Sequence, residues 1–298
     1  MRTATERPAG SSLSATIPLA ALMASMALTG CGASGPVARG GAPEAPAGAE
    51  VPRAPAGQEA QGSVDRLLAR SAIESIVANR AGDFTRRVAI MAADLTDAEL
   101  ERLVAAVRAG FAPGLLRQDV AGHIAAYAPE DALEEVLRWT ENGAKAELDR
   151  VTESYEPPLT LEEYAESLRS SPPTDGRVRL VARWADVQGA ADFYLLMGEA
   201  IDEAAHAVWA AFRPDAPAYT PPDADELGAA RQMSLDAAVV TFLYRFETVP
   251  DEVLRAAIDE YAGEAGQSYV RAYTLAVAEA MRAAGRRVVA ALEGDAAG

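Results

Sequence analysis

From Val64 onward the chain has no strict apolar/polar alternation lasting more than a few residues, so a half-buried sheet has no pattern to form on. Apolar residues instead recur at helical spacing, with Ala, the best helix former, as filler. The expectation is an all-α, multi-helix bundle. Helices are predicted over 64–79, 84–93, 97–110, 114–127, 130–154, 161–170, 176–187, 190–212, 226–246, 251–262 and 265–292. Thr96 with Glu99 and Thr160 with Glu163 read as capping boxes. Pro129 and Pro250 each open an acidic segment, and Pro and early acids both suit a first helical turn. The clearest segment is 190–212. Phe193, Leu196, Met197, Ala200, Ile201, Ala204, Val208, Trp209 and Phe212 form one side, with Glu199, Asp202, Glu203 and His206 on the other. A shorter stripe comprises Leu103, Val104, Val107 and Phe111.

The chain ahead of this body is different. Residues 1–30 read as a secretory signal: Arg2, Glu6 and Arg7, then an apolar stretch over 17–28 that is too short for a confident span of ~20 residues. Leu28-Thr29-Gly30-Cys31 follows and contains the only cysteine of the 298 residues. This resembles the lipobox of bacterial lipoproteins. The resemblance implies cleavage after Gly30, diacylglycerol on the Cys31 thiol, and anchoring by two or three acyl chains such as palmitate, since one chain alone binds marginally. In that family an Asp after the Cys often retains the protein at the inner membrane. Gly32 stands there, which implies an outer-membrane lipoprotein facing the periplasm. Within 32–62, Ala, Gly and Pro supply 21 of 31 residues. Such a segment cannot offset its ordering entropy and is expected to be a flexible tether averaging ~30 Å in reach. The expected organisation is signal 1–30, tether 31–62 and helical domain 63–298. Four Pro within 213–224 and Pro157-Pro158 suggest halves at 63–157 and 223–298 around a middle segment 158–222.

The chain carries 27 basic and 44 acidic residues, a net of −17. All of that excess lies in 63–298, because 1–62 holds four of each sign. Nucleic acid is excluded as a partner, since phosphate neutralisation needs Lys and Arg. An anionic membrane repels such a body, so the lipid would supply the contact. A single Cys also excludes an internal disulfide framework and a Cys-rich zinc site.

Residues 123–143 and 242–266 resemble each other. Each runs from a helix through a Pro turn and an acidic helix start to an aromatic and a Gly. Leu133 aligns with Leu254 and Leu137 with Ile258; a gap of two then aligns Gly143 with Gly266. The second copy is similar to a family of secreted bacterial helical proteins known only as a domain of unknown function, marked by Phe-Tyr-x-Ser-Pro-x-Gly. Tyr261, Gly263 and Gly266 stand at its Tyr, Ser and Gly, while Glu260 and Glu264 replace its Phe and Pro. Trp139 and Gly143 of the first copy are spaced one residue closer. The resemblance implies a fold and an envelope location, and no chemistry. Read physically, an aromatic and a nearby Gly serve helix packing, and paired copies would frame a groove.

Catalytic signals are sparse. No Gly-x-Ser-x-Gly elbow, His-Glu-x-x-His, P-loop or dinucleotide fingerprint occurs, and no cofactor is implied. Glu203-Ala-Ala-His206 has the spacing of a di-iron half-site, but such sites need two, and Val120 stands three before His123. The expected reading of His206 is therefore a solvated ion pair with Asp202. His123 is expected to be a boundary His with a hydrogen-bond partner, and a general base is its alternative. Glu134-Glu135 and Glu162-Glu163 fall near helix starts, where the helix dipole favours acids. Trp139, Trp184 and Trp209 are expected in the core, or lining an apolar pocket. The expectation is a lipid-anchored, non-enzymatic interaction or scaffold module with a protein partner in the envelope. The alternatives are a carrier or sensor of a small apolar ligand, and an enzyme built from scattered carboxylates with His123 or His206.

Overall fold

The computed structural model describes residues 58–69, 82, 84–90 and 95–296. The signal, the cleavage position Gly30, the lipidation residue Cys31 and the second half of the helix predicted over 64–79 lie outside the described residues. The protein is an all-α multi-helix bundle, and no strand occurs among the described residues. The elements are α1 (Gln58–Ala69), α2 (Asp97–Gly110), α3 (Pro113–Tyr127), α4 (Glu130–Asn142), α5 (Ala144–Glu153), α6 (Leu161–Ser167), α7 (Asp175–Val187), α8 (Ala190–Phe212), α9 (Ala224–Arg245), α10 (Asp251–Ala262) and α11 (Glu264–Ala296). A further helical stretch covers 84–90.

The helix starts follow their caps. Glu99 N–H donates to Thr96 Oγ1 at 3.3 Å while Thr96 N–H donates to Glu99 Oε2 at 2.8 Å. Thr160 and Glu163 repeat this geometry. A third box went unread in the sequence: Asp223 Oδ1 accepts from Asp225 and Glu226 N–H, both at 2.9 Å, and so moves the start of α9 to Ala224. Pro129 and Pro250 do not occupy the first helical turn. Both are N-caps with extended backbone, at ψ 144° and ψ 143°. Helix α1 begins at Gln58, inside the segment expected as tether, because Gln58-Glu-Ala-Gln are good helix formers beyond the last Pro of that segment.

The helix expected over 130–154 is two helices. It breaks at Gly143, whose backbone is extended (φ −97°, ψ −168°). The break leaves the first N–H groups of α5 exposed. Glu260 from the end of α10 fills that need: its carboxylate accepts from Ala144 N–H at 2.8 Å and Lys145 N–H at 3.0 Å. A Cβ on Gly143 would stand 2.7 Å from Trp139 Cα, a backbone atom that cannot swing aside, so the corner requires glycine. A charged cap of this kind contributes ~1 kcal/mol.

Two main cores result. The first gathers Val64, Leu68, Phe84, Leu103, Leu116, Ile124, Leu133, Val208 and Met281 around α11. Helix α11 packs on α8, α3, α2 and α4, and small residues let it come close. Ala276, Ala280 and Ala284 are fully buried. A Cβ on Gly285 would lie 2.4 Å from Ala204 Cβ, and one on Gly110 would lie 2.7 Å from Val288 Cγ2. The second core joins Leu148, Trp184, Leu243, Phe246, Leu254, Ile258 and Tyr261 from α5, α7, α9 and α10, and Tyr269 packs against both cores. Helix α8 buries Met197, Ala200, Ile201, Ala204 and Val208 as expected, together with Ala205. In α2, Leu103 and Val107 are buried but Val104 is 38 % exposed, because Ala106 takes the inner face instead. The Pro-rich stretch after α8 is irregular, yet the helices on its two sides pack on each other, Ala190 of α8 joining Ala238 of α9 in a small third cluster. This loop lies within one compact unit.

The two similar stretches superpose in role. Leu133, Leu254 and Ile258 are fully buried and Leu137 nearly so, and both segments start on a Pro cap. The corner residues, however, are Gly143 and Gly263, each directly ahead of the next helix. The alignment of Gly143 with Gly266 is therefore corrected: one residue of offset suffices, and Gly266 lies inside the first turn of α11.

Candidate functional site

Chemically capable side chains concentrate on the outer face of α8. Spacing of three and four residues puts Glu199, Asp202, Glu203 and His206 together. Arginines from distant elements then engage Asp202 and Glu203. Arg87 binds Asp202 in a two-pronged contact, Nε to Oδ1 at 2.6 Å and Nη2 to Oδ2 at 2.8 Å. Arg282 of α11 donates to Glu203 Oε2 at 2.8 Å and to Glu279 at 3.0 Å. The expected ion pair between His206 and Asp202 does not form. His206 Nδ1 lies 2.8 Å from the Asp202 backbone carbonyl. A carbonyl only accepts, so Nδ1 carries a proton and donates it.

The loop after α8 folds back over this face. The Tyr219 ring lies 5.1 Å from the His206 ring, and Trp209 lies 6.1 Å from it. Burial, then the nearby carboxylates of Glu199, Asp202 and Glu203, push the Tyr219 hydroxyl up to about 12, so it stays a neutral donor at physiological pH. Arg213 holds the root of the loop through Glu99 at 3.3 Å. The result is an oriented imidazole, a neutral phenol and carboxylates neutralised by arginine. Among the described residues His206 makes no hydrogen bond to a Ser, Thr or Cys side chain. Among the described residues no three His, Cys, Asp or Glu side chains converge as a metal ion requires.

His123 sits elsewhere, on α3. It is half-buried and stacks on Tyr127 at 5.7 Å. With Asp65, Arg117, Gln118 and Asp119 it lines an open groove of about 790 Å³. Asp119 is already held by Arg287 of α11 at 2.7 Å. The structure thus separates the two histidines, one on α3 and one on the outer face of α8.

The acidic pairs are helix-start residues and little more. Glu163 is the partner in its capping box, and hydrogen bonds from the Thr160 backbone and hydroxyl hold its carboxyl below the usual range. Glu134 and Glu135 lie in the second turn of α4, behind the acidic first turn. Two of the three tryptophans, Trp139 and Trp184, pack against the same ring, Tyr261. Trp184 packs edge-on against Phe246, Tyr261 and Phe242 at 5.7, 5.7 and 6.4 Å. Trp139 meets Tyr261 at 6.1 Å, so rings and the Glu260 carboxylate fill the junction of the two similar stretches, where a groove was expected. Arg87, Arg282, Tyr219 and Glu260 were not foreseen. Each acts at a position 79 or more residues from its partner, or within a Pro-rich loop, and carries no local pattern.

No family model, curated protein or solved structure matches the chain. Among the described residues no helix is long and apolar enough to cross a membrane.

Proposed function

We propose that the chain is a bacterial envelope lipoprotein, anchored through Cys31 after cleavage at Gly30, whose helical body is a non-enzymatic interaction or scaffold module. The observation that carries this is Leu28-Thr29-Gly30-Cys31, which closes an apolar stretch and holds the only cysteine. The membrane contact is the lipid, and Gly32 favours the outer membrane with the body facing the periplasm. The working surface is the body, with a protein partner in the envelope.

The arrangement of charge supports this reading over an enzyme. The carboxylates best placed for chemistry brace helices instead: Asp202 to Arg87, Glu203 to Arg282, Asp119 to Arg287, Asp251 to Arg177. The carrier reading has less support, because Trp184 is committed to the second core, packed against Phe242, Phe246 and Tyr261. The resemblance of the second copy to the secreted domain family gains a physical rationale as well. Its Ser and Pro positions fall at the residue before α11 and at its first residue, where a helix favours those types.

The test is Cys31→Ser in the full chain, produced in a bacterium and fed a labelled fatty acid. Acyl labelling disappears and the protein leaves the membrane fraction. Persistence of both would overturn the anchor. Crosslinking of the wild-type chain in intact envelopes then captures the partner. Alternatively, a discrete small mass lost on denaturation in native mass spectrometry would move the assignment to the carrier class.

A further inference from the structure

The seam between α7 and the corner joining α10 to α11 contains two hydrogen-bond donors with no acceptor. Trp184 Nε1 and Gln188 Nε2 are both buried and unpartnered, and the Trp184 residue is only 4 % exposed. Trp184 lies in the last turn of α7 and Gln188 is its C-cap with helical backbone, so the two stand one turn apart on one face with Cβ atoms about 5–6 Å apart. An unsatisfied buried donor costs ~1–3 kcal/mol, so two side by side demand an acceptor. Backbone carbonyls of the same elements each already accept one hydrogen bond from another donor. Gln267 Nε2 donates to Tyr261 O at 2.8 Å and to Val187 O at 3.0 Å. Asp186 O accepts from Gly189 N–H at 2.8 Å, and Trp184 O accepts from Gln188 N–H at 3.0 Å.

The Trp184 N–H has one competing partner, the face of a neighbouring ring, since Phe242, Phe246 and Tyr261 all stand edge-to-face with the indole. A ring face serves Trp184 alone and leaves Gln188 unpaired. A single oxygen with two lone pairs serves both. We propose that this seam is a binding site for one long-lived water molecule, accepting from Trp184 Nε1 and Gln188 Nε2. The carbonyls of Val187 and Tyr261 each retain a second lone pair, so acceptors for the hydrogens of that water lie on the same elements. With three or four partners it resembles the buried waters that folded proteins keep. It ties α7 to the α10–α11 corner at the place where Tyr269 touches both cores.

The experiment is water-selective NMR on the full chain with 15N only in the tryptophan indoles, so that Trp139, Trp184 and Trp209 alone report. Trp184→Phe assigns its signal. The expected result is a cross peak between Trp184 Hε1 and water, with the sign of a water bound for nanoseconds or longer, and its loss in Gln188→Met. Three results would overturn the site: no water cross peak with an upfield, ring-shifted Hε1, which assigns the proton to a ring face; a Trp184 Hε1 bonded to the Gln188 side-chain oxygen; or a cross peak unchanged in Gln188→Met, which removes Gln188 from the site.

Discussion

Glycine means opposite things at two positions of this bundle. Gly198 lies within α8 with no atom within 4 Å of where a Cβ would stand, whereas the same atom on Gly285 of α11 would be 2.4 Å from Ala204 Cβ. Replacing Gly198 with Ala removes backbone freedom from the unfolded chain and improves helix propensity, a gain of about 0.5–1 kcal/mol. Gly285→Ala brings the same propensity gain and then forces α8 and α11 apart, an overpacking cost of ~1–3 kcal/mol. Urea unfolding of the two variants should therefore move in opposite directions, Gly198→Ala to a higher midpoint and Gly285→Ala to a lower one. Equal shifts would mean that α8 and α11 do not approach so closely. The sequence marks both residues only as helix-interior glycines, because the contact that separates them joins positions 81 residues apart.

At the scale of the element, what was legible is what a helix fixes locally. The capping boxes at Thr96 and Thr160, the buried stripe of α8 and the irregular Pro-rich loop all rest on residues within a few positions of one another. The break at Gly143 was not legible, since Asn142-Gly143 alone weakens a helix without ending it. It becomes a corner because Glu260, 116 positions away from Ala144, satisfies the freed N–H groups of α5. His206 shows the same limit. Its place beside Asp202 was readable, but Arg87 had already claimed the carboxylate, which left the ring the backbone carbonyl. Glu260→Ala should accordingly destabilise the protein by ~1 kcal/mol, the worth of a helix cap. Hydrogen exchange should locate the loss, with Ala144 and Lys145 amides losing protection while those of α8 keep theirs. Unchanged protection at Ala144 would show that α5 is capped without Glu260.

At the scale of the whole molecule, the three tyrosines near the seam make the fold sensitive to alkali. Burial pushes the Tyr273 hydroxyl up to about 12, and burial together with neighbouring groups pushes those of Tyr261 and Tyr269 well above the usual tyrosine range. The folded state thus holds these phenols neutral while the unfolded chain ionises them near pH ~10. Their contribution to stability is intact below about pH 10 and is lost as pH rises toward the folded values, at ~1.4 kcal/mol per group per pH unit. Three such groups give a slope of ~4 kcal/mol per unit, steep against a typical domain stability of ~5–15 kcal/mol. The expected behaviour is no change in helical circular dichroism up to about pH 10 and then a cooperative loss, with a burst of tyrosinate absorbance at the same midpoint. Tyr155 separates itself from this set. It is raised through its hydrogen bond to the Glu247 carboxylate at the surface, so Tyr155→Phe should leave the midpoint nearly where it was. Tyr269→Phe with Tyr273→Phe removes two of the three buried ionisations and should carry unfolding to higher pH. If the double variant unfolds at the wild-type midpoint, the seam is more open to water than its packing implies, and the two cores meet less closely at Tyr269.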